Sequence, residues 1–153
     1  MKVTKAKLKD LEQSSPVANE WIEQNNTDDF GVTTDREDIF AGLISMITSG
    51  DSDLLLLEHE DKFIGCLGIT KFKSPLHNQL IANEHYFYIV KEYRKGFGGS
   101  LLLGGAKRWA KDNGCSHLIM NASNIASDLH DIVCKFYESM GMKKFETSYI
   151  SQI

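Results

Sequence analysis

The sequence has few of the residues that disulfides and metal sites require. Its three cysteines are an odd number and stand far apart in apolar surroundings, so reduced core thiols are expected rather than disulfides or metal ligands. The five histidines show no HxxxH spacing, and the cysteines show no CxxC spacing. No metal site is therefore predicted.

Long apolar runs and an excess of positive charge are also missing. No stretch approaches the roughly 18 apolar residues of a membrane span, and the N-terminal run MKVTKAKLKD lacks the apolar centre of a signal peptide. The formal net charge is −4 and there is no basic arm, which argues against nucleic acid as the main partner. We expect a cytoplasmic protein that binds neither nucleic acid nor membrane.

The composition is that of an ordinary globular protein. Hydrophobic residues make up 42% of the chain and charged residues 25%. A chain of 153 residues is long enough to bury a real core, and no repeat, linker or low-complexity segment interrupts it. A single domain over residues 1–153 is predicted.

The first fifty residues are predicted to be largely helical after a short strand within residues 1–8. Ser15-Pro16 is typical of a helix start, with proline in the first helical position. A second helix should begin near Thr34-Asp35 and end at Gly50. Its apolar face is predicted to comprise Ile39, Leu43, Ile44 and Ile47.

Three strands are predicted next, over Leu54–Glu58, Lys62–Thr70 and Leu80–Val90, with a tight turn at Glu60-Asp61 between the first two. In the third, strict alternation would separate Ala82, Glu84, Tyr86 and Tyr88 from Ile81, Asn83, His85, Phe87 and Ile89. Both faces are mostly apolar, as in a central strand covered on both sides. The ionisable Glu84 and His85 could serve chemistry or could sit paired near a strand end.

The rest of the chain is predicted to alternate helices and strands. A helix capped by Gly114 follows the strand, with two apolar stripes: Leu101, Gly105 and Trp109, and Leu102, Ala106 and Ala110. A strand over residues 117–122 then completes a crossover unit with parallel strands. A helix from about Ser127 to Met140 and a final strand over residues 143–150 complete the pattern.

The most informative stretch is residues 89–109, where an apolar strand runs into a basic, glycine-dense turn and then into a helix. The first N–H groups of a helix lack intrahelical partners and carry the positive end of the helix dipole, so they bind phosphate well. The glycines allow close backbone approach, the cations add charge, and the serine could cap the helix. These residues are Arg94, Lys95, Gly96, Gly98, Gly99 and Ser100.

The alternative is that these glycines only form a tight turn. Two observations favour an anion site. The turn is basic in an acidic chain, and the helix also contains Gly104 and Gly105, each costing roughly 0.5–1 kcal/mol relative to alanine, which suggests close packing. Neither GxGxxG nor GxxxxGK[ST] fits these residues.

The runs EYRKGFGGSLL and KFYESMGMK resemble the GCN5-related N-acetyltransferase (GNAT) family. In that family a [Q/R]xxGx[G/A] loop binds the pyrophosphate of acetyl-CoA through backbone amides. Counted from Arg94, the two glycine positions fall on Phe97 and Gly99; counted from Tyr93, they fall on Gly96 and Gly98. Both registers stay open, and the resemblance implies that residues 94–100, including Phe97, bind the cofactor.

The resemblance implies an α/β (α+β) fold. Its mixed, mostly antiparallel sheet would have about six to seven strands and about four flanking helices, with a parallel strand-helix-strand unit at the cofactor site. It also implies direct transfer of the acetyl group of acetyl-CoA, the co-substrate, to a primary amine in a ternary complex without a metal. The acceptor, a small molecule or a protein or peptide, is not identified. Whether the chain forms a homodimer also stays open.

Tyr137 has two interpretations. By periodicity it is a core aromatic of the last helix, whereas FYESMGM resembles the family's FYEKxGF, in which the tyrosine hydroxyl lies near the cofactor sulfur as a general acid. The family also has a cofactor-contacting asparagine after the preceding strand. Asn124 is its counterpart here, although it lies farther from the tyrosine than is usual.

The chemistry also needs a base and an electrophilic contact. An amine with a pKa near 10.4 is protonated at pH 7, and supplying its free base costs roughly 4–5 kcal/mol. The resemblance points to Glu84 as the base, provided that burial raises its pKa. It further implies that N–H groups near Ile89 and Val90 polarise the thioester carbonyl and that Tyr137 protonates the thiolate. No covalent acyl-enzyme is needed.

The alternative function is an acetyl-CoA-binding regulatory or interaction module on the same fold, without turnover. Glu84 and Tyr137 favour the enzyme, because a module that only binds needs neither. Phe97 in the loop favours the module.

Overall fold

The computed structural model describes residues 1–24, 35–75, 78–123, 129–151 and 153. They contain a five-stranded sheet in the order β1-β2-β3-β4-β5 and four α-helices. The strands are β1 (Lys2–Lys5), β2 (Ser52–His59), β3 (Lys62–Lys73), β4 (Leu80–Ile89) and β5 (His117–Ile119). The helices are α1 (Leu11–Gln24), α2 (Arg36–Thr48), α3 (Gly98–Asp112) and α4 (His130–Ser139), with short 3-10 helices at Leu8–Asp10 and Lys91–Tyr93.

Strand pairing confirms the predicted mixed sheet. Neighbouring strands are antiparallel except β4 and β5, which are parallel and joined through α3. The predicted turn between β2 and β3 is also confirmed. Glu60 and Asp61 have φ angles of 49° and 60°, the left-handed conformation that a two-residue hairpin turn requires at both positions.

The sheet is covered on both faces, because β2 alternates its leucines between two cores. Leu55 and Leu57 pack with α3, while Leu54 and Leu56 pack with α1 and α2. Helix α2 begins next to the predicted start, where Asp35 caps it with Oδ1 accepting the N–H of Glu37 at 2.7 Å. Three of the four predicted core residues of α2 join the core, namely Ile39, Leu43 and Ile47. Ile44 does not; it is 45% exposed.

Helix α1 begins earlier than predicted. It starts at Leu11, so Pro16 lies inside it rather than in its first position. Leu11 packs into the α1–α2 core and so extends the helix toward the N-terminus. Pro16 cannot donate to the carbonyl of Glu12, but Glu12 is exposed and that carbonyl can bond to water instead.

The predicted final strand over residues 143–150 is not formed, so the described sheet has five strands rather than six or seven. Phe145, Tyr149 and Ile150 are 76%, 94% and 61% exposed. The segment therefore buries too little apolar surface to offset the entropy of ordering it against β5. The strand predicted over residues 117–122 is likewise shorter, and the predicted helix start at Ser127 lies outside the described residues.

Strand β4 departs from strict alternation. Gly68 pairs with Tyr86 but Ile69 pairs with Glu84, so His85 is an extra residue that forms a bulge. The predicted face assignment is therefore wrong beyond Glu84. Ala82, Phe87 and Ile89 pack in the core below α3, whereas Tyr86 packs on the α1–α2 side.

Candidate active site

The glycine-dense turn ends in the exposed start of α3. The helix begins at Gly98, and its first hydrogen bond runs from the Leu101 N–H to the Phe97 carbonyl at 3.0 Å. The N–H groups of residues 98–100 therefore precede the helical ladder, as an anion site requires. Ser100 does not cap the helix as predicted, because its hydroxyl contacts Sδ of Met140 at 3.8 Å.

The three glycines of the turn have different surroundings. A Cβ at Gly98 would lie 2.8 Å from Leu57 Cδ2, so this glycine lets α3 sit directly on β2. A Cβ at Gly99 would lie 3.3 Å from the ring of Phe136. Gly96 is exposed, and a Cβ there would meet only the Tyr93 carbonyl at an ordinary 3.7 Å. Of the three, Gly96 leaves the most room for a ligand.

The two cations of the turn also have different surroundings. Arg94 folds back onto the protein: Nε donates to the Ile89 carbonyl at 2.8 Å, Nη2 donates to Gln24 at 2.6 Å, and the guanidinium lies 5.0 Å from the Tyr88 ring centre. Lys95 is exposed. Arg94 thus holds the turn in place, while Lys95 is the cation free to meet an anion. Phe97, at the N-cap, is 82% exposed.

Two α1 residues that the sequence did not reveal anchor the entrance to this turn. Gln24 accepts the Arg94 guanidinium. Glu20 accepts both the Lys91 N–H at 2.8 Å and the Tyr88 hydroxyl at 2.9 Å. No local sequence pattern relates α1 to a turn about 70 residues away.

The end of β4 offers one of the two backbone amides that were predicted to polarise a carbonyl. Val90 N–H donates to the Ile64 carbonyl at 2.9 Å and is therefore engaged with β3. In an antiparallel ladder neighbouring N–H groups point to opposite sides, so that of Ile89 points away from β3. On that side β5 pairs with β4 only as far as Asn83. The N–H of Ile89 therefore stays a candidate for polarising a carbonyl, whereas that of Val90 does not.

Glu84 lies at the point where β4 and β5 separate. It is 4% exposed, and its Oε2 accepts the N–H of Asn121 at 2.8 Å. Burial raises the pKa of Glu84 to about 7, although the hydrogen bonds from Asn121 lower it. The raised pKa that the sequence-based hypothesis required is therefore present. His85, the bulged residue, is exposed.

Tyr137 lies beside Glu84 and is 7% exposed. Its hydroxyl donates to the Asn121 carbonyl at 3.2 Å. Its ring packs with those of Phe87 and Phe136, at centroid distances of 6.1 and 5.6 Å. Burial raises the pKa of Tyr137, and the negative charge of Glu84 raises it further. The core and catalytic interpretations of Tyr137 are thus compatible.

The structure brings Glu84 and Tyr137 together through Asn121, which the sequence-based analysis did not single out. The available signal was a polar residue just after a strand parallel to β4. The predicted cofactor contact Asn124 lies outside the described residues.

The described residues fit acetyl-CoA in two respects. The first amides of α3 and the exposed Gly96 and Lys95 suit a pyrophosphate, and the separation of β4 and β5 leaves the Ile89 amide without a strand partner on that side. Within residues 1–24, 35–75, 78–123 and 129–151, no three His, Cys, Asp or Glu side chains are grouped to hold a metal ion. No helix in the described part of the chain is both long and apolar enough to cross a bilayer.

Solved structures share this fold. A GNAT family acetyltransferase of Staphylococcus aureus is 23% identical with a TM-score of 0.69, and the match covers 100% of both chains. A ribosomal-protein-alanine N-acetyltransferase from Brucella melitensis is 14% identical with a TM-score of 0.76, again over 100% of both chains. AAC(6')-Iy, in complex with the bisubstrate analog CoA-S-monomethyl-acetylneamine, is 10% identical with a TM-score of 0.78, over 99% of this chain and 96% of that one.

No curated protein matches the sequence. A family model does: the one described as the Acetyltransferase (GNAT) family matches residues 16–142, well over half of the chain. The match includes the glycine-dense turn, Glu84, Asn121 and Tyr137. The chain therefore belongs to the GNAT acetyltransferase family and is an acyltransferase.

Proposed function

We propose that this protein transfers the acetyl group of acetyl-CoA directly to a primary amine within a ternary complex. The observation that carries the proposal is the pair of buried groups, Glu84 and Tyr137, linked through Asn121 where β4 and β5 separate. A protein that only bound the cofactor would have no need of a buried carboxyl group beside a buried phenol. A single domain over residues 1–153 and a cytoplasmic location stay predictions.

In this proposal the turn holds the cofactor. Residues 96–100 offer backbone N–H groups to the pyrophosphate, and Lys95 adds a full charge. The start of α3 at Gly98 favours the register counted from Tyr93, in which Gly96 and Gly98 are the two loop glycines. The Ile89 N–H is the remaining candidate for polarising the thioester carbonyl.

Glu84 acts as the general base. Moving a proton from an ammonium of pKa about 10.4 to an ordinary glutamate of pKa about 4.3 costs about 8 kcal/mol, since each pKa unit is worth about 1.36 kcal/mol. With the pKa of Glu84 at about 7, the cost falls to about 5 kcal/mol. Burial thus makes this carboxyl group a usable base near neutral pH.

Tyr137 stabilises the departing thiolate. A thiol has a pKa near 8.5, below that of a phenol, and the pKa of Tyr137 is raised further. Complete proton transfer from the ionised-Glu84 state is therefore uphill, and the hydroxyl acts first as a hydrogen-bond donor. When Glu84 takes the proton of the amine, it loses its negative charge and with it one cause of the raised Tyr137 pKa. Base and acid then act in sequence.

The test is a screen of primary amines with detection of free thiol, followed by Tyr137→Phe. This change should lower turnover by roughly 10²–10⁴ and leave acetyl-CoA affinity within a few fold, because the interaction belongs to the transition state. Calorimetric titration of acetyl-CoA supplies the affinity. The phenyl ring should keep its packing against Phe87 and Phe136.

Equal turnover in the two proteins would remove Tyr137 from the mechanism. Binding of acetyl-CoA without thiol release for any amine would favour the module without turnover. Phe136→Leu is a suitable control, because it perturbs the same aromatic cluster without removing a hydroxyl group.

A further inference from the structure

Asn121 contacts both groups to which the proposed function assigns proton chemistry. Its N–H donates to Oε2 of Glu84 at 2.8 Å, and its side-chain Nδ2 donates to the backbone carbonyl of the same residue. Its own carbonyl accepts the hydroxyl of Tyr137 at 3.2 Å. One residue therefore holds Glu84 at two atoms and Tyr137 at one.

These contacts begin where the sheet stops. The last paired residues of β4 and β5 are Asn83 and Ile119. Beyond them the strands no longer form a ladder, and the Asn121 side chain supplies the donor that a neighbouring strand would have given to the Glu84 carbonyl. The side chain thus fixes the backbone of Glu84 beside the gap.

We propose that Asn121 is a positioning residue, which keeps the Glu84 carboxylate and the Tyr137 hydroxyl at a fixed spacing during acetyl transfer. This inference rests on the proposed function. A base and an acid that act on opposite ends of one reaction must keep their separation, and misplacement by about 1 Å can cost a hundredfold in rate. Neither Glu84 nor Tyr137 bonds the other directly, so their spacing depends on the residue between them.

The same contacts affect the charge of Glu84. Burial raises its pKa, and the bonds from Asn121 oppose that rise. The titratable groups that couple to its charge are the Cys66 thiol on β3 and the Tyr137 phenol on α4, while His85, next in the chain, is exposed. Weakening the contacts of Asn121 should therefore raise the pKa of Glu84 further.

The experiment compares Asn121→Ala with Asn83→Ala. The first removes the bond from Nδ2 to the Glu84 carbonyl, and the second removes the other partner of that amide, Oδ1 of Asn83 at 3.5 Å. In Asn121→Ala we expect the acid limb of the pH profile of kcat/KM to move up by about half a unit or more. We expect kcat to fall by about tenfold or more, with unchanged acetyl-CoA affinity. Asn83→Ala should leave the limb in place.

A second measurement does not depend on activity. NMR titration of the Glu84 carboxyl carbon, assigned with Glu84→Gln, should report the same upward movement in Asn121→Ala. An unmoved carboxyl titration, or an equal movement in Asn83→Ala, would overturn the inference. If Asn121→Ala does not fold, Asn121→Ser gives the same comparison with a short donor retained.

The two proposals can fail separately. Absence of turnover with every amine would count against the proposed function. The carboxyl titration would still decide whether Asn121 positions Glu84, because it requires only the folded chain.

Discussion

Among single residues, Glu84 is the one whose burial favours the proposed chemistry but lowers the stability of the fold. A carboxyl group that is 4% exposed and is bonded to no cation among the described residues loses the hydration that its ionised form would have in the unfolded chain. Its pKa rises from an ordinary 4.5 to about 7 in the folded protein. The same burial that suits Glu84 to its proposed role as a base near neutral pH must therefore destabilise the fold above that pH.

We predict that Glu84→Gln stabilises the protein at alkaline pH. Between about pH 4.5 and 7 the folded state binds more protons than the unfolded state, so the free energy of unfolding falls as pH rises. The contribution of this carboxyl group to the free energy of unfolding is fully present below pH 4.5 and is lost as the pH rises through 7. Glutamine does not ionise, and its gain at pH 8 should be about 3 kcal/mol, with little at pH 4.5.

Urea unfolding at the two pH values measures this difference. The exposed Glu12→Gln serves as the control and should change the free energy of unfolding by less than about 0.5 kcal/mol at either pH. A gain for Glu84→Gln that is the same at both pH values would contradict the assignment.

Sequence patterns could identify Glu84 and Tyr137 only with the help of the family resemblance. Periodicity alone placed Tyr137 in the core, and that is also true, since its ring is packed with two others. Asn121 was missed because its role depends on where β5 stops pairing with β4. Val90 was included because a linear sequence does not tell which side of a strand an N–H group faces.

Among the elements, α3 contains two adjacent glycines whose surroundings differ. The sequence predicts close packing at both Gly104 and Gly105. A Cβ at Gly105 would lie 2.9 Å from Val3 Cγ1, which places α3 tightly on β1, but at Gly104 nothing lies within 4 Å. The expectation holds for one glycine and not for its neighbour.

The two glycines therefore predict opposite effects of one substitution. Gly104→Ala should raise the free energy of unfolding by roughly 0.5–1 kcal/mol through helix propensity. Gly105→Ala should lower it by about 1–2 kcal/mol, because overpacking against Val3 outweighs the same propensity gain. Denaturant unfolding of the matched pair decides this, and equal effects would contradict the packing difference.

A second element-scale prediction concerns the turn before α3. Gly98→Asp would test cofactor binding poorly, because the side chain would also collide with Leu57. Gly96→Asp avoids this, since a Cβ there makes only ordinary contact. It should weaken acetyl-CoA binding by more than tenfold, or about 1.4 kcal/mol, through repulsion of the pyrophosphate. Gly96→Asn has nearly the same shape without the charge and should bind much more tightly than Gly96→Asp in calorimetry. Equal affinities would remove the anion site from this turn.

The elements were predictable where local chemistry decides them. The Glu60-Asp61 turn and the start of α2 beside Asp35 depend on neighbouring residues, and the structure confirms both predictions. The start of α1 was not, because Leu11 is ordered by contacts with distant core residues rather than by a local cap. The strand prediction over residues 143–150 is wrong, since the apolar side chains of Phe145, Tyr149 and Ile150 are mostly exposed in the described fold.

In the molecule as a whole, the sheet and α3 meet at a buried carboxylate. Asp53 on β2 accepts the Trp109 indole N–H at 2.6 Å and pairs with Lys5 at 2.8 Å. These contacts tie the end of α3 to β2 and β1. Cofactor binding at the start of α3, as proposed, would therefore act on a helix that is already held at its other end.

We predict that acetyl-CoA stabilises the whole fold by mass action. A ligand that binds only the folded state at a hundredfold excess over its Kd adds about 2.7 kcal/mol to the free energy of unfolding. A thermal melt with increasing acetyl-CoA should show a rising midpoint, whereas acetate, which lacks the pyrophosphate, should not shift it. An unchanged midpoint at millimolar acetyl-CoA would contradict cofactor binding.

The bulge at His85 has a consequence for how this chain can change by mutation. The extra residue at His85 interrupts the alternation of side chains between the two faces of β4. The residues before it and the residues after it therefore alternate in different phases. Deleting the codon of His85 would leave Glu84 opposite Ile69 and Tyr86 opposite Gly68 in a regular ladder, so the residues after the bulge would keep their present faces. A single-codon deletion at this position would therefore preserve both cores. An alignment that places a gap within β4 should put it at this codon and nowhere else in the strand.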